Sequence, residues 1–211
     1  MSTSRRFDWI VDRQLPRSSA IWDTEIAESL NFSVVPSLGS LVPGWLLIVP
    51  RRPALNLAEL SNDEKAELRV VVRQLRSRLA NLSGEIFEFE HGSQYHGSAM
   101  GCGLDQAHLH VVPLPFDLIR VAKETSIGSV VWMSSEMSAD SWARIPERQE
   151  YLLARSAAGS TLIGLLQSPV SQWFRRLIAQ QLSCSESWDY RIAPGIDNIK
   201  ATLRAVHSDC P

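Results

Sequence analysis

The sequence has 211 residues, of which 21% are charged and 45% are hydrophobic, and its formal net charge is -2. These proportions are typical of a folded globular protein and exclude a disordered chain. Lysine and arginine are spread along the sequence, so it lacks the basic run of a general nucleic-acid binder. These observations do not exclude a small anionic ligand.

Apolar runs and cysteines bear on the cellular compartment. The first ten residues contain no apolar stretch, so no secretory signal is predicted. The apolar run at residues 46–49 is too short to span a membrane. Cys102, Cys184 and Cys210 form no CxxC pair, which argues against a disulfide framework and a thiolate zinc site. We therefore expect a cytoplasmic protein without a membrane partner.

Hydrophobic periodicity, together with residues that interrupt helices and strands, predicts the secondary structure of the first half. Three short strands come first, and after Pro53 a helix capped by Ser61 carries apolar residues at helical spacing. Two more strands then flank a loop rich in glycine and serine. The five strands are expected at residues 20–24, 30–35, 45–49, 85–90 and 107–114. This order predicts an α+β domain with an antiparallel sheet around one long helix.

The second half is predicted to contain three helices and three strands. A helix is expected at residues 118–123, a strand at 128–133, a hairpin from 151–154 and 161–166, a helix from Ser168-Pro169 to Leu182, and a last helix at 196–206. No linker-like composition separates the halves. We therefore expect a first domain at residues 1–116 and an α/β extension at residues 117–211 that packs on it.

The segment from Gly101 to Pro113 carries the candidate chemistry. On a strand, residues two apart share a face, so Gln106, His108 and His110 are expected on one side. Burial of a polar group without a partner costs roughly 1–3 kcal/mol, and a polar ligand would supply partners. Two alternatives stay open. The histidines could be ordinary core or surface residues, or His-x-His could bind zinc, although no third ligand stands at a recognisable spacing.

These residues resemble the signature of the histidine triad (HIT) superfamily, in which three histidines alternate with apolar residues before an apolar-apolar-Pro exit. Aligned on residues 111–113 (Val-Val-Pro), His110 matches the third histidine and His108 the middle one, whereas Gln106 stands at the first. Upstream, residues 43–52 resemble the family's Gly-His-x-Leu-x-Ile-Pro-Lys strand. The resemblance covers about residues 18–116, and the C-terminal half looks like an extension found in some bacterial HIT-like proteins.

The resemblance implies a nucleotide substrate, with no cofactor and no metal. His108 would attack phosphorus and form a nucleotidyl-histidine, with its far nitrogen oriented by a backbone carbonyl. His110 would hydrogen-bond the phosphate or the leaving group, and Gln106 would keep a polar group there but carry no titrating proton. The implied nucleotide- and phosphate-binding positions are His91, Gly92, Ser93, Ser98, Gly101, Cys102 and Gly103.

We interpret the basic and aromatic residues of the second half as surface and core residues rather than as part of the site. Arg175 and Arg176 are predicted to form a solvated basic face, although the helix N-terminus before them could receive an anion. Trp173, Trp188 and Tyr190 are predicted to be core residues, although they could stack on a base.

The predicted function is hydrolysis of a nucleotide conjugate, such as a dinucleoside polyphosphate or a nucleoside phosphoramidate, through covalent His108. One alternative is a nucleotidyltransferase or phosphorylase of the same superfamily. Another is a nucleotide-binding regulatory protein with little turnover, for which Gln106, Cys102 and Gly103 are the motivating features. We expect a monomer rather than the dimer that many small members form, because the second half can cover the dimer surface.

Overall fold

The computed structural model describes residues 6–100, 103–136 and 141–207. Its strands are β1 (Ala27–Glu28), β2 (Phe32–Pro36), β3 (Leu46–Pro50), β4 (Glu85–Gly92), β5 (Leu109–Leu114), β6 (Val130–Glu136), β7 (Tyr151–Arg155) and β8 (Ser160–Leu166). Its helices are α1 (Asp8–Val11), α2 (Asn62–Arg78), α3 (Leu118–Glu124), α4 (Trp173–Gln181) and α5 (Ile196–His207). No helix in these ranges has the length and apolarity needed to cross a membrane.

The strands form one antiparallel sheet in the order β1-β2-β3-β5-β4-β7-β8-β6. Strand β4 pairs with strands from both halves of the chain. One of its edges pairs with β5, where Phe89 lies opposite His110, and the other pairs with β7, where Glu90 lies opposite Leu153. The predicted α+β class with an antiparallel sheet and a long helix is confirmed.

Helix α2 covers one face of the sheet. A capping box starts it, because the Ser61 hydroxyl accepts the Glu64 amide at 3.2 Å and the Glu64 carboxylate accepts the Ser61 amide at 2.7 Å. Its apolar residues Leu68, Val72 and Leu75 are buried in a cluster with inward residues of β2, β3 and β5. The helix that the sequence predicts after Ser61 is confirmed.

Helices α3 and α4 cover the opposite face. Phe87, Phe89 and Val112 on the sheet belong to a buried cluster with Phe174 and Leu177 of α4. The Phe89 and Phe174 ring centroids are 4.8 Å apart. The second half of the chain therefore closes the face on which His110 lies.

Two predicted elements are wrong. Residues 20–24 form no strand, because the chain makes a short 3-10 turn at Ile21–Asp23, where the Thr24 amide donates to the Ile21 carbonyl. The helix expected from Ser168 begins only at Trp173. The Gln167 amide still donates to the Ser129 carbonyl, next to β6, at 3.0 Å. The chain must therefore leave the sheet before it can form a helix.

Candidate functional site

Three buried imidazoles meet on the face covered by α4. His91 comes from β4, His110 from β5, and His108 from the residue before β5 begins. The ring centroids of His108 and His110 are 4.9 Å apart, and those of His91 and His110 are 6.0 Å apart. The structure thus brings three of the sequence-predicted site residues together.

The proton position on His108 follows from its backbone partner. His108 Nδ1 lies 2.9 Å from the Gln106 carbonyl oxygen, which can only accept a hydrogen bond. Nδ1 therefore carries the proton and Nε2 keeps a free lone pair. A neutral imidazole in this form is a nucleophile at Nε2.

His110 and His91 have the opposite arrangement to His108, because each presents an N–H donor instead of a free lone pair. His110 Nδ1 accepts the Trp45 indole N–H at 2.9 Å, so its proton is on Nε2. His91 Nε2 accepts the Phe174 backbone N–H at 3.1 Å, so its proton is on Nδ1. His91 Nδ1 is buried and has no hydrogen-bond partner among the described residues. This donor needs an acceptor, because an unpaired buried polar group is costly.

All three imidazoles are held neutral at physiological pH. Burial, with a smaller effect of neighbouring His108 and Arg175, lowers the pKa of His91 to about 3. Burial lowers the pKa of His108 to about 4 although its bond to the Gln106 carbonyl opposes the shift. The pKa of His110 is also well below its usual value, chiefly through burial. Desolvation favours the neutral form of each ring.

The cavity in front of the imidazoles is lined by Arg6 and Arg175 and, among its described lining residues, by no carboxylate. Arg6 is held by the Asp23 carboxylate at 3.3 Å and the Pro36 carbonyl at 3.0 Å. Arg175 donates to the carbonyls of Gly39 and Trp188. The cavity volume is about 20 Å³, which is room for about one water molecule. Two fixed guanidinium groups suit an anion.

Gln106 does not share the cavity with the histidines. Its side-chain amide donates to the Pro50 carbonyl at 3.1 Å and the Arg52 carbonyl at 2.9 Å, so it ties the entry of β5 to the exit of β3. Gln106 precedes the first residue of β5, and strand alternation therefore does not set its direction.

The other predicted phosphate-binding residues that the structure describes lie outside the lining of this cavity. Ser93 is buried and donates to the Leu55 carbonyl at 3.1 Å, and Ser98 donates to the Glu150 carboxylate. Gly92 leaves room for the Tyr151 ring, which a Cβ would meet. Gly103 is exposed. Gly101 and Cys102 lie outside the described residues.

The sequence analysis assigned none of the cavity residues Arg6, Arg175 and Tyr190 to the site. Arg175 is buried rather than part of a solvated basic face, and Tyr190 lines the same cavity. Arg6 reaches it from the N-terminal segment. No local pattern marks these three residues. Trp45 lies in the segment that resembles the family strand, and that resemblance was the available signal.

Metal binding finds no support in the described ranges, where no three His, Cys, Asp or Glu side chains are grouped to hold an ion.

Comparison with known proteins gives likeness in fold. No family model and no curated protein matches the sequence. A Hit-like protein involved in cell-cycle regulation from Bartonella henselae is 14% identical, with 51% of this chain and 76% of that chain covered and a TM-score of 0.39. A hypothetical histidine triad nucleotide-binding protein from Sulfolobus tokodaii is 19% identical, with 51% and 66% covered and a TM-score of 0.38. A yeast Ap4A phosphorylase is 11% identical, with 84% of this chain and 72% of that chain covered and a TM-score of 0.43. The likeness to these three proteins is one of fold alone.

Proposed function

We propose that this protein is a nucleotide hydrolase in which His108 Nε2 takes a nucleotidyl group from a nucleotide conjugate and passes it to water. One observation carries the proposal. A single imidazole lone pair, on His108, stands beside two imidazole N–H donors, on His110 and His91. A nucleophile flanked by fixed donors is what attack on a phosphorus centre requires.

The chemistry follows from these proton positions. The His108 Nε2 lone pair forms the N–P bond to the α-phosphorus, and the bond to the leaving group breaks with its electron pair. The Gln106 carbonyl stabilises the imidazolium that results, because it accepts a hydrogen bond from Nδ1–H. His110 Nε2–H and His91 Nδ1–H donate to the phosphoryl oxygens, and Arg6 and Arg175 favour their negative charge. Water then attacks phosphorus, the N–P bond breaks, and a mononucleotide leaves.

Substrate entry requires movement in the cavity walls. Pockets for small molecules usually measure several hundred Å³, whereas this cavity holds about 20 Å³. The N-terminal segment lines the cavity with Arg6 and places Phe7 against His108, and the C-terminal segment lines it with Tyr190. We infer that these segments part when the nucleotide binds.

A regulatory binder is the second candidate, and the position of Gln106 favours it. Its side chain is engaged with two backbone carbonyls, so it contributes no third group to the pair formed by His108 and His110. In this case nucleotide would bind without turnover. Transfer of the nucleotidyl group to an acceptor other than water stays a variant of the first candidate.

The test compares wild type, His108→Ala and the control His96→Ala, whose side chain is 79% exposed. Each is incubated with diadenosine tetraphosphate and with adenosine 5′-phosphoramidate, and AMP is followed by chromatography. We expect AMP from wild type and from His96→Ala only. An alkaline quench should preserve a nucleotidyl adduct that mass spectrometry locates at His108. Nucleotide binding without AMP from any form would favour the regulatory binder.

A further inference from the structure

One stretch of the second half of the chain forms part of the wall in front of the three imidazoles. Residues 184–194, which we call the C-terminal loop, connect α4 to α5 and place Tyr190 in the lining of the histidine cavity. A residue with positive φ flanks the loop on each side, Ser183 at 55° and Gly195 at 65°. The backbone therefore turns sharply at both ends of the loop.

The helices on either side of the C-terminal loop are firmly anchored. In α4, Phe174 and Leu177 are fully buried in the cluster that covers the sheet. In α5, Ile199 and Thr202 are fully buried, and the Thr202 hydroxyl accepts the Gly44 amide at 2.7 Å. The loop can therefore move between two fixed helices without disturbing the sheet.

The C-terminal loop itself buries little. Asp189 and Tyr190 are its two buried residues, and Ile192 is 80% exposed. Hydrogen bonds hold its backbone in place, including one in which the Gly39 amide donates to the Pro194 carbonyl at 2.8 Å. Water can replace such bonds when the loop lifts, so lifting it is less costly than separating apolar surfaces.

The opposite wall of the histidine cavity is harder to move. Phe7 and Ile10 of the N-terminal segment are buried in an apolar cluster with Leu47 and Val49 of β3. Opening this wall would expose the cluster to water, which is unfavourable. We therefore expect the C-terminal loop, and not the N-terminal segment, to make room for a substrate.

Arg175 ties the C-terminal loop to the histidine cavity. Its Nε donates to the Trp188 carbonyl of the loop at 2.9 Å, and its Nη2 donates to the Gly39 carbonyl between β2 and β3. The same guanidinium lines the cavity, where a bound anion would meet it. A charged phosphate oxygen is a stronger acceptor for a guanidinium than a neutral carbonyl is. A phosphate group at Arg175 would therefore weaken its hold on the loop.

We propose that the C-terminal loop is a lid, which opens by bending at Ser183 and Gly195 when a substrate phosphate binds Arg175. The Arg175 guanidinium then exchanges the Trp188 carbonyl for phosphoryl oxygens. The lid rests on the proposed function, because that function places the phosphate in the histidine cavity. It gives the second half of the chain control over access to the three histidines.

The first test is calorimetric titration of AMP into wild type, Gly195→Ala and the control Gly97→Ala. Both glycines have positive φ, 65° and 74°, so alanine strains the backbone similarly at the two positions. A Cβ at Gly195 would overlap the Ser40 backbone, whereas a Cβ at Gly97 has no neighbouring atom within 4 Å. Gly195→Ala should therefore displace the lid. We expect it to bind AMP about fivefold more tightly, because more molecules are already open, and the control to bind as wild type does.

The second test is hydrogen exchange of wild type, followed by mass spectrometry with and without AMP. We expect the backbone amides of residues 184–194 to exchange faster when AMP is bound, because the lid has opened. The amides of residues 6–12 in the N-terminal segment should not exchange faster. This measurement decides the question even where Gly195→Ala does not fold.

Several outcomes would overturn the lid: no AMP binding by any form, weaker or unchanged binding by a folded Gly195→Ala, or exchange of residues 184–194 that AMP does not accelerate. Faster exchange of residues 6–12 alone would assign the opening to the N-terminal segment. These readouts do not depend on turnover. AMP binding that Gly195→Ala strengthens, without release of AMP from a conjugate by any form, would contradict the hydrolase and support the lid.

Discussion

Each imidazole of the site has its proton placed by one hydrogen bond. The partner of His108 is a backbone carbonyl two residues away, whereas the partners of His110 and His91 are Trp45 and Phe174 from distant segments. These bonds make the three rings chemically different although each is buried and neutral. The reactivity proposed for His108 therefore depends on residues outside the His-x-His pair.

The Trp45 indole tests this dependence. Trp45→Phe keeps an aromatic ring beside Phe89 but removes the N–H that His110 Nδ1 accepts, so His110 can place its proton on either nitrogen. We expect kcat to fall roughly tenfold or more with a smaller change in KM, because a fixed donor to the reacting phosphoryl group is lost. Long-range ¹H–¹⁵N NMR spectra should show mixed tautomers at His110. Trp132→Phe is the control, and an unchanged kcat in Trp45→Phe would contradict the assignment.

The lowered histidine pKa values predict how stability changes with acid. The folded protein keeps these rings neutral, whereas the unfolded chain protonates them below about pH 6.5, so the unfolded state binds more protons. Their stabilisation is complete above pH 6.5 and is lost as pH falls toward 4 and 3. We expect the free energy of unfolding to drop between pH 6.5 and 4.5, by up to about 1.4 kcal/mol per pH unit for each histidine. Urea titrations at several pH values measure it, and His91→Gln should have a shallower slope.

At the scale of elements, Glu90 joins three segments on the α2 face. Its carboxylate accepts the Leu57 amide at 2.6 Å, the Trp142 indole at 2.9 Å and the Tyr151 hydroxyl at 2.8 Å. Burial nevertheless raises the pKa of Glu90 to about 7. The strand β4 thus carries a carboxyl group that titrates near neutrality.

Glu90→Gln should reveal this titration. A raised pKa means that the contribution of Glu90 to stability is complete below about pH 4.5 and is lost as pH rises through 7. We expect the free energy of unfolding of the variant, relative to wild type, to increase between pH 5 and 8. This pH dependence of stability is opposite in direction to the one expected from the three histidines. Urea unfolding measures the difference in free energy of unfolding between the variant and wild type. A difference that does not change with pH would refute the raised pKa of Glu90.

The capping box of α2 can be tested in the same way. Ser61→Ala removes the hydroxyl that accepts the Glu64 amide, and we expect a loss of about 1 kcal/mol in the free energy of unfolding. Ser77→Ala, at an exposed position inside the same helix, should cost little or stabilise slightly. Equal losses in the two variants would contradict a capping role.

Elements with local signals are those that the sequence predicts well. Helix α2 has both a capping box and a periodic apolar face, and strands β7 and β8 have apolar runs around a turn. Residues 20–24 and Ser168 have plausible local patterns as well. Their structure differs because Asp23 is engaged by Arg6, and because β8 keeps its pairing with β6 as far as Leu166. Tertiary contacts override a short pattern.

For the whole molecule, strand β4 is an inner strand of the sheet, with β5 on one side and β7 on the other. Glu85 to Phe89 pair with β5, and Glu88 to Gly92 pair with β7 of the same chain. A second copy therefore cannot extend the sheet at β4. We expect a monomer of 23.6 kDa by size-exclusion chromatography with light scattering at micromolar concentration. A stable dimer would contradict this expectation.

The sequence by itself determined the α+β class, helix α2, most strands and the pairing of His108 with His110 on one segment. These features rest on caps, periodicity and neighbours in the chain. Only the tertiary structure decided that Gln106 turns away, that Arg175 joins the site, and that His91 presents an N–H donor there. The bonds that place their protons and side chains join residues far apart, 65 positions for Trp45 and His110 and 83 for His91 and Phe174. No local pattern encodes such pairs, because they form only when β4, β5 and α4 pack together.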